Sequence, residues 1–308
     1  MQDHEDWRQA VQQCAACNTY VQIELGSCSK PGTTVATAAA QLQPKIASFA
    51  SWLARHGPLV RSLDLNPWRT WVAATTAAPA VSNEAVQLLR TGMQAAAASA
   101  TKPAAAADIT AVTVARSAAS QQQQQQQQLG LRLASFSSDA TCAAGLLPLL
   151  PSHSLTRLVL DFGGGGSARA AAASEVAIAA VAAELPRLSS LQQLVFSGNP
   201  TWLMSLGLFN GGARVSDLAA TALARGLKQL HTLDSRCCEL GSMACLGAIA
   251  YLPQLRELWL MGTPGITPQG LMMLTRLSRL QCLGVDRNDE VTDAVVDEFW
   301  ATLRSSNG

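Results

Sequence analysis

The sequence predicts an α/β solenoid: a right-handed β-α horseshoe of about seven units, preceded by a short helical N-terminal region. Three observations carry that prediction. First, Leu255-Arg256-Glu257-Leu258-Trp259-Leu260 spells L-x-x-L-x-L, and the phrase returns as Leu280-Gln281-Cys282-Leu283-Gly284-Val285. Alternating leucines suit a short strand with one buried face, and the helical run between the phrases suits the return leg. Second, the first leucines from Leu155 onward (Leu191, Leu230, Leu255, Leu280) are spaced by 36, 39, 25 and 25 residues. The last two spacings set the unit at 25, so the earlier gaps hold insertions of 11 and 14 residues. Third, Val215, Leu240, Ile266 and Val291 form a second column in step, 25, 26 and 25 residues apart. Ser216, Thr267 and Thr292 directly follow three of these, and Gly241-Ser242 follows Leu240. A buried aliphatic followed by a hydroxyl N-cap is what the turn into a helix needs, because the cap satisfies a first-turn N–H.

Residues 1–58 read as helical. Trp7, Val11 and Cys14 share one helix face, and Leu42, Ile46, Phe49, Trp52 and Leu53 form a second stripe that ends at Gly57-Pro58. Between them, Tyr20 to Leu25 alternates like a strand, and Gly26 to Thr37 reads as a loop. Residues 59–94 hold the first unit. Its strand is Val60 to Asn66, and its helix runs through Leu88 and Leu89, with Ser82 as N-cap and Gly92 as stop. Residues 95–128 are an Ala/Gln low-complexity insertion with eight consecutive Gln. Such a tract has too little large apolar surface to offset its ordering entropy. Ile109, Val112 and Val114 within it could hide one degenerate strand. Units fill 129–308, with strands at Leu131-Arg132-Leu133, Leu155–Leu160, Leu191–Phe196, Leu230–Leu233, Leu255–Leu260 and Leu280–Val285. Pro268 is placed at a first helical position, where its missing N–H costs nothing.

Composition narrows the function classes. Lys and Arg number 22 against 21 acids, and charged residues are only 14%, so no nucleic-acid partner is expected. The start, Met1 to Trp7, lacks the basic and apolar regions of a signal peptide. The most apolar window, Val176 to Ala183, is far shorter than the ~20 residues of a membrane span. A cytoplasmic chain with no membrane partner is therefore expected, and its eight cysteines are read as reduced thiols.

No reaction chemistry emerges. Cys14-Ala15-Ala16-Cys17 is C-x-x-C, but a structural zinc site wants four ligands, and only Cys28 is near. Core thiols are the better reading. Asp161-Phe162-Gly163 has neither the catalytic loop nor the strand lysine of a kinase, and Gly163 to Gly166 lacks the Gly-Lys-Ser/Thr of a phosphate loop. The four histidines are scattered. The expectation is no enzyme, no catalytic residue, no metal and no cofactor.

The expected site is a surface. Residues between the leucines point to the concave side of a horseshoe, because strand side chains alternate. One column reads Ser62, Arg157, Gln193, Thr232, Glu257, Cys282; the next Asp64, Arg132, Val159, Val195, Asp234, Trp259, Gly284; the third Asn66, Ala134, Asp161, Ser197, Arg236, Met261, Asp286. Exposed Trp and Arg dominate binding energy at protein interfaces. Trp259, with Met261, Glu257, Arg236, Asp234, Asp286, Arg157 and Asp161, is the expected protein-binding patch. The apolar insertion from Asn199 to Arg214, with Trp202 and Phe209, is a second candidate.

The phrase Leu255–Gly262, then Pro264-Gly265-Ile266-Thr267-Pro268-Gln269-Gly270-Leu271, then Leu280–Val285 and Val291-Thr292-Asp293, resembles the cysteine-containing leucine-rich repeat. Cys237-Cys238-Glu239-Leu240 looks like its cysteine position. That subtype is known from F-box/LRR proteins, the substrate receptors of SCF-type ubiquitin ligases. The resemblance covers 131–303 well and 60–95 weakly. Trp7-Arg8-Gln9-Ala10-Val11 looks like the tail of an F-box that is otherwise missing or degenerate. The resemblance implies a leucine-rich-repeat solenoid that reads a protein substrate, joined to a Skp1-type adaptor where an upstream F-box exists. The alternative is a structural leucine-rich-repeat scaffold of the cytoskeleton or ciliary axoneme.

Overall fold

The computed structural model describes residues 20–22, 35–65, 79–99, 131–161, 168–197, 214–236, 238–240 and 242–306. The chain divides into two compact units, Met1–Ser135 with Leu149–Ser154, and Phe136–Pro148 with Leu155–Gly308. The helix expected around Trp7, the Cys14/Cys17 pair, the Gln tract and the Trp202–Phe209 segment lie outside the described residues.

In the first unit, strand β1 (Tyr20–Gln22) runs parallel to β2 (Ser62–Asp64), with Val21 opposite Leu63. Helix α1 (Val35–His56) packs on α2 (Pro79–Ser99). Ile46, Phe49 and Leu53 of α1 are buried, as are Ala85, Leu89, Met93 and Ala96 of α2. This is the i, i+3, i+4 stripe that the apolar spacing predicts. Three local expectations are corrected. Helix α1 begins two residues before Thr37, inside the expected loop. Helix α2 begins at Pro79, whose fixed φ suits a first turn, so Ser82 lies inside the helix instead of capping it. Gly92 does not stop α2, which continues to Ser99 and takes in the first residues of the expected insertion. A Cβ at Gly92 would stand 2.7 Å from the Ala50 carbonyl oxygen and 2.8 Å from Ala50 Cα. The glycine marks where the two helices touch.

The second unit is α/β. Its elements are β3 (Ser135–Asp139), α3 (Ala140–Leu146), β4 (Arg157–Asp161), α4 (Ala168–Glu184), β5 (Gln193–Ser197), β6 (Arg214–Val215), α5 (Asp217–Gly226), β7 (Thr232–Asp234), β8 (Glu239–Leu240), α6 (Met243–Ile249), β9 (Glu257–Trp259), α7 (Pro268–Met273), β10 (Cys282–Gly284) and α8 (Asp293–Ser306). Strands β3, β4, β5, β7, β9 and β10 lie side by side in that order in one sheet, and β6 pairs with β8 apart from it. The pairs β4/β5, β5/β7, β7/β9, β9/β10 and β6/β8 are parallel. Parallel neighbours need a crossover, and a helix lies between most successive strands of the sheet. The whole is compatible with a solenoid-like α/β arrangement.

Register follows the leucines. Leu158 lies opposite Leu194, Leu194 opposite Leu233, Leu233 opposite Leu258, and Leu258 opposite Leu283. The first four are fully buried, each stabilising the core by roughly 1.5–3 kcal/mol. The anchoring leucines Leu155, Leu191, Leu230, Leu255 and Leu280 each stand two residues ahead of their strand and are buried. The strand expected at Leu131-Arg132-Leu133 is corrected by the same rule. Leu133 is the anchor, β3 begins two residues later, and Phe136 occupies the core place that a leucine holds elsewhere. Three of the hydroxyl caps are in place. Ser216 Oγ accepts from Ala219 N, Ser242 Oγ from Ala244 N, and Thr267 Oγ1 from Gly270 N. Val215 and Leu240, ahead of two of these caps, are paired across β6 and β8.

Candidate functional site

The leucines turned to the core leave the other face of the sheet to the intervening residues. Register sets them in two rows: Arg157, Gln193, Thr232, Glu257 and Cys282, then Val159, Val195, Asp234, Trp259 and Gly284. Neighbours in a row are one strand spacing apart, about 4.8 Å. Arg236, Met261 and Asp286 follow just beyond the ends of β7, β9 and β10. The expected column members Arg132 and Ala134 give way to Ser137 and Asp139, through the corrected start of β3. Ser62 and Asp64 lie in β2 of the first unit, and Asn66 lies outside the described residues.

Trp259 is half-buried, and the reason is its neighbour. A Cβ at Gly284 would overlap Trp259 Cε3 and come within 3.0 Å of Cζ3, so the indole lies over the glycine backbone. On the other side is Asp234, whose carboxylate is held by Arg236. Arg236 Nε donates to Oδ1 at 2.9 Å and to Oδ2 at 3.0 Å, and Nη2 donates to Oδ2 at 2.7 Å. The Arg236 backbone N–H adds a bond to Oδ1 at 3.2 Å. The aspartate side chain is 9% exposed and the arginine 53%. Their attraction is therefore screened at one end, and its net value is about 1 kcal/mol or less. Its larger effect is to fix the guanidinium just past the end of β7 with about half of its surface in solvent.

Three further contacts order the patch. Thr232 Oγ1 lies 3.3 Å from a Glu257 carboxylate oxygen and donates to it. Asp286 accepts from the backbone N–H of Gly262, which stands at φ 71°, a left-handed turn that favours glycine. Met261 is half-buried beside that turn. Arg157 is exposed two strands away from Thr232, at the far end of its row.

Two of the expected exposed residues are corrected. Asp161 is buried at 8% exposure and Asp234 at 6%. Asp234 works through Arg236, so it positions the patch and does not itself face a partner. Asp161 belongs to the interior end of β4. Trp259, Glu257, Arg236, Asp286 and Met261 are brought together, and Arg157 stands apart.

Buried thiols complete the description of the second unit. Cys142, Cys238 and Cys245 are buried, and Cys282 is half-buried. Burial, with the Asp139 carboxylate adding to it and a hydrogen bond with Ser138 opposing, pushes the Cys142 thiol up to about 12. Cys245 Sγ contacts Val215 O at 3.1 Å and Asp217 Oδ1 at 3.0 Å. Among the described residues no three His, Cys, Asp or Glu side chains cluster as metal ligands. Among them also, no helix is long and apolar enough to cross a membrane.

The sequence reading missed one feature. On the helix side, α6, α7 and the turn after α7 enclose a groove of about 610 Å³ lined by Gly247, Ala250, Tyr251, Pro268, Met272, Met273 and Arg276 among others. Tyr251 and Arg276 stand 25 residues apart, the same unit spacing, and that coincidence was visible in the sequence. No family model matches the chain, and no curated protein matches it.

Proposed function

We propose that this chain is a non-enzymatic protein-interaction module of the leucine-rich-repeat kind, working in the cytoplasm, with the strand face around Trp259 as its binding surface. One observation supports this most: Trp259, half-buried over Gly284, and Arg236, half in solvent and held by Asp234, stand on or just past neighbouring strands of one sheet. Trp and Arg are the side chains that most often anchor protein interfaces. Here both lose little freedom on binding, because Gly284 seats the one and Asp234 holds the other. The resemblance of the repeat phrase to F-box/LRR proteins suggests the partner class, a protein substrate presented for ubiquitin transfer.

The test is a comparative capture. Wild type and the double variant Trp259→Ala/Arg236→Ala are used as baits under identical salt. The reading expects a stable partner held by wild type and lost by the variant. Identical partner sets on both baits sink it. The ligase version has its own test. A longer form carrying a Leu-Pro F-box segment should bind a Skp1-type adaptor, and failure to do so removes that version while leaving the interaction module standing. Co-sedimentation with microtubules would move the partner class to the cytoskeleton.

A further inference from the structure

The helix side of the second unit carries a surface that the strand-face reading does not use. Tyr251 is 63% exposed and Met273 38% exposed, both at the groove between α6 and α7. The groove's volume, about 610 Å³, lies within the usual range for built binding depressions, roughly 300–1,000 Å³. Its floor is small and apolar. Gly247 lets Met273 lie across α6, since a Cβ there would stand 2.8 Å from Met273 Cε. Methionine and tyrosine walls adapt to an incoming apolar surface at low cost.

The charged residue in the groove's lining is Arg276, and further cations follow along the same edge of the sheet. Parallel strands put all the helix-to-strand turns along one edge of the sheet. Those at 225–231, 250–256 and 274–281 carry Arg225, Lys228, Arg256, Arg276 and Arg279 and no carboxylate. The cations next to the groove hold neutral groups. Arg276 Nη1 donates to Tyr251 Oη at 2.7 Å, with its Cζ 5.4 Å from the ring centroid, and Arg279 Nη1 donates to Gln254 Oε1 at 2.7 Å. Helix C-termini attract cations, but only with about half a charge each. The margin stays positive.

The groove's walls also restrict its occupant. They are helical, with backbone groups bonded within their own turns, so no strand can be added there. A helix brings a backbone already satisfied within itself, so it can fill the depression without leaving a polar group unpaired. We propose that the groove between α6 and α7 docks an amphipathic helix of a partner protein, its apolar face filling the depression and its carboxylates meeting Arg276 and Arg279. This site is separate from the Trp259 face, and it stands or falls independently.

The probe is a synthetic helical peptide of about 18 residues, with Leu at i, i+3, i+4 and i+7 and Glu flanking that stripe. Binding to the full chain is read by fluorescence anisotropy. A Lys-for-Glu peptide and phosphatidylserine vesicles are run beside it. The proposal expects the Glu peptide to bind, Arg276→Glu/Arg279→Glu to weaken it about tenfold or more, and the Lys peptide to bind worse. Met273→Ser, at an exposed position and with its fold checked by circular dichroism, should weaken it similarly. Trp259→Ala should leave it unchanged. No binding of the Glu peptide, equal binding of both peptides, insensitivity to the arginine reversals, or capture by vesicles alone would overturn the proposal.

Discussion

Trp259 can lie flat on its neighbouring strand only because residue 284 has no side chain. Gly284→Val forces the indole and the new branch into one space, at an expected cost of about 1–3 kcal/mol in urea unfolding. Adding Trp259→Ala to that variant should recover much of the loss, because the clash needs both partners. Additive losses in the double variant would show that the indole does not sit over the glycine. Arg236 makes the opposite kind of contribution. Removing it leaves a buried carboxylate with only a backbone N–H among the contacts that held it, so Arg236→Ala should cost about 1–2 kcal/mol although the arginine itself is half in solvent. Cys142 reports through pH. Its folded value is about 12 against an ordinary 9.0. Below pH 9 both folded and unfolded chains keep the proton, and the full stability is present. As pH rises from 9 towards 12 only the unfolded chain ionises, so stability falls across that window. Cys142→Ala should lack this alkaline component, measured as the difference in urea midpoint between pH 8 and pH 10.5. An equal alkaline loss in both proteins would contradict the buried thiol.

Elements in this chain begin at side chains that supply a missing backbone partner. Ser216 and Thr267 each accept a first-turn N–H, so Ser216→Ala and Thr267→Ala should each cost about 1 kcal/mol in urea unfolding. Thr267 and Ser216 were readable in the sequence because a buried aliphatic precedes each hydroxyl. Helix α2 shows where such reading fails. Ser82 and Gly92 carry the usual start and stop chemistry, yet the helix opens at Pro79 and passes through Gly92. At Gly92 two effects compete. Alanine gains about 1 kcal/mol of helix propensity, but its Cβ would meet the Ala50 backbone at under 3 Å. Overpacking against backbone wins, and Gly92→Ala is expected to destabilise. Which glycine ends a helix and which admits another helix depends on a partner segment some forty residues away, and local spacing does not carry that.

At the scale of the whole chain, the strand phrases from Leu155 onward were legible because their spacing recurs and the parallel register preserves it. The phrase at Leu131 was misplaced because Phe136 substitutes for a leucine, so the leucine-only pattern locked two residues early. The face around Trp259 was legible from strand alternation alone. The burial of Asp161 and Asp234 was not, because alternation gives the side a residue faces but not what its neighbours cover. The helix-side groove was missed because its walls come from two consecutive helices, and period-25 pairs such as Tyr251 and Arg276 lie outside the leucine columns. The same unit thus carries a mixed-charge strand face and an apolar helix-side groove with Arg276 in its lining, two surfaces open to different partners. The central claim is that the strand face is the binding surface. Hydrogen–deuterium exchange of the full chain, with and without its captured partner, tests it most directly. The account predicts slowed exchange at 232–236, 257–262 and 282–286. Protection confined to 243–251 and 268–276, with the strands unchanged, would contradict it.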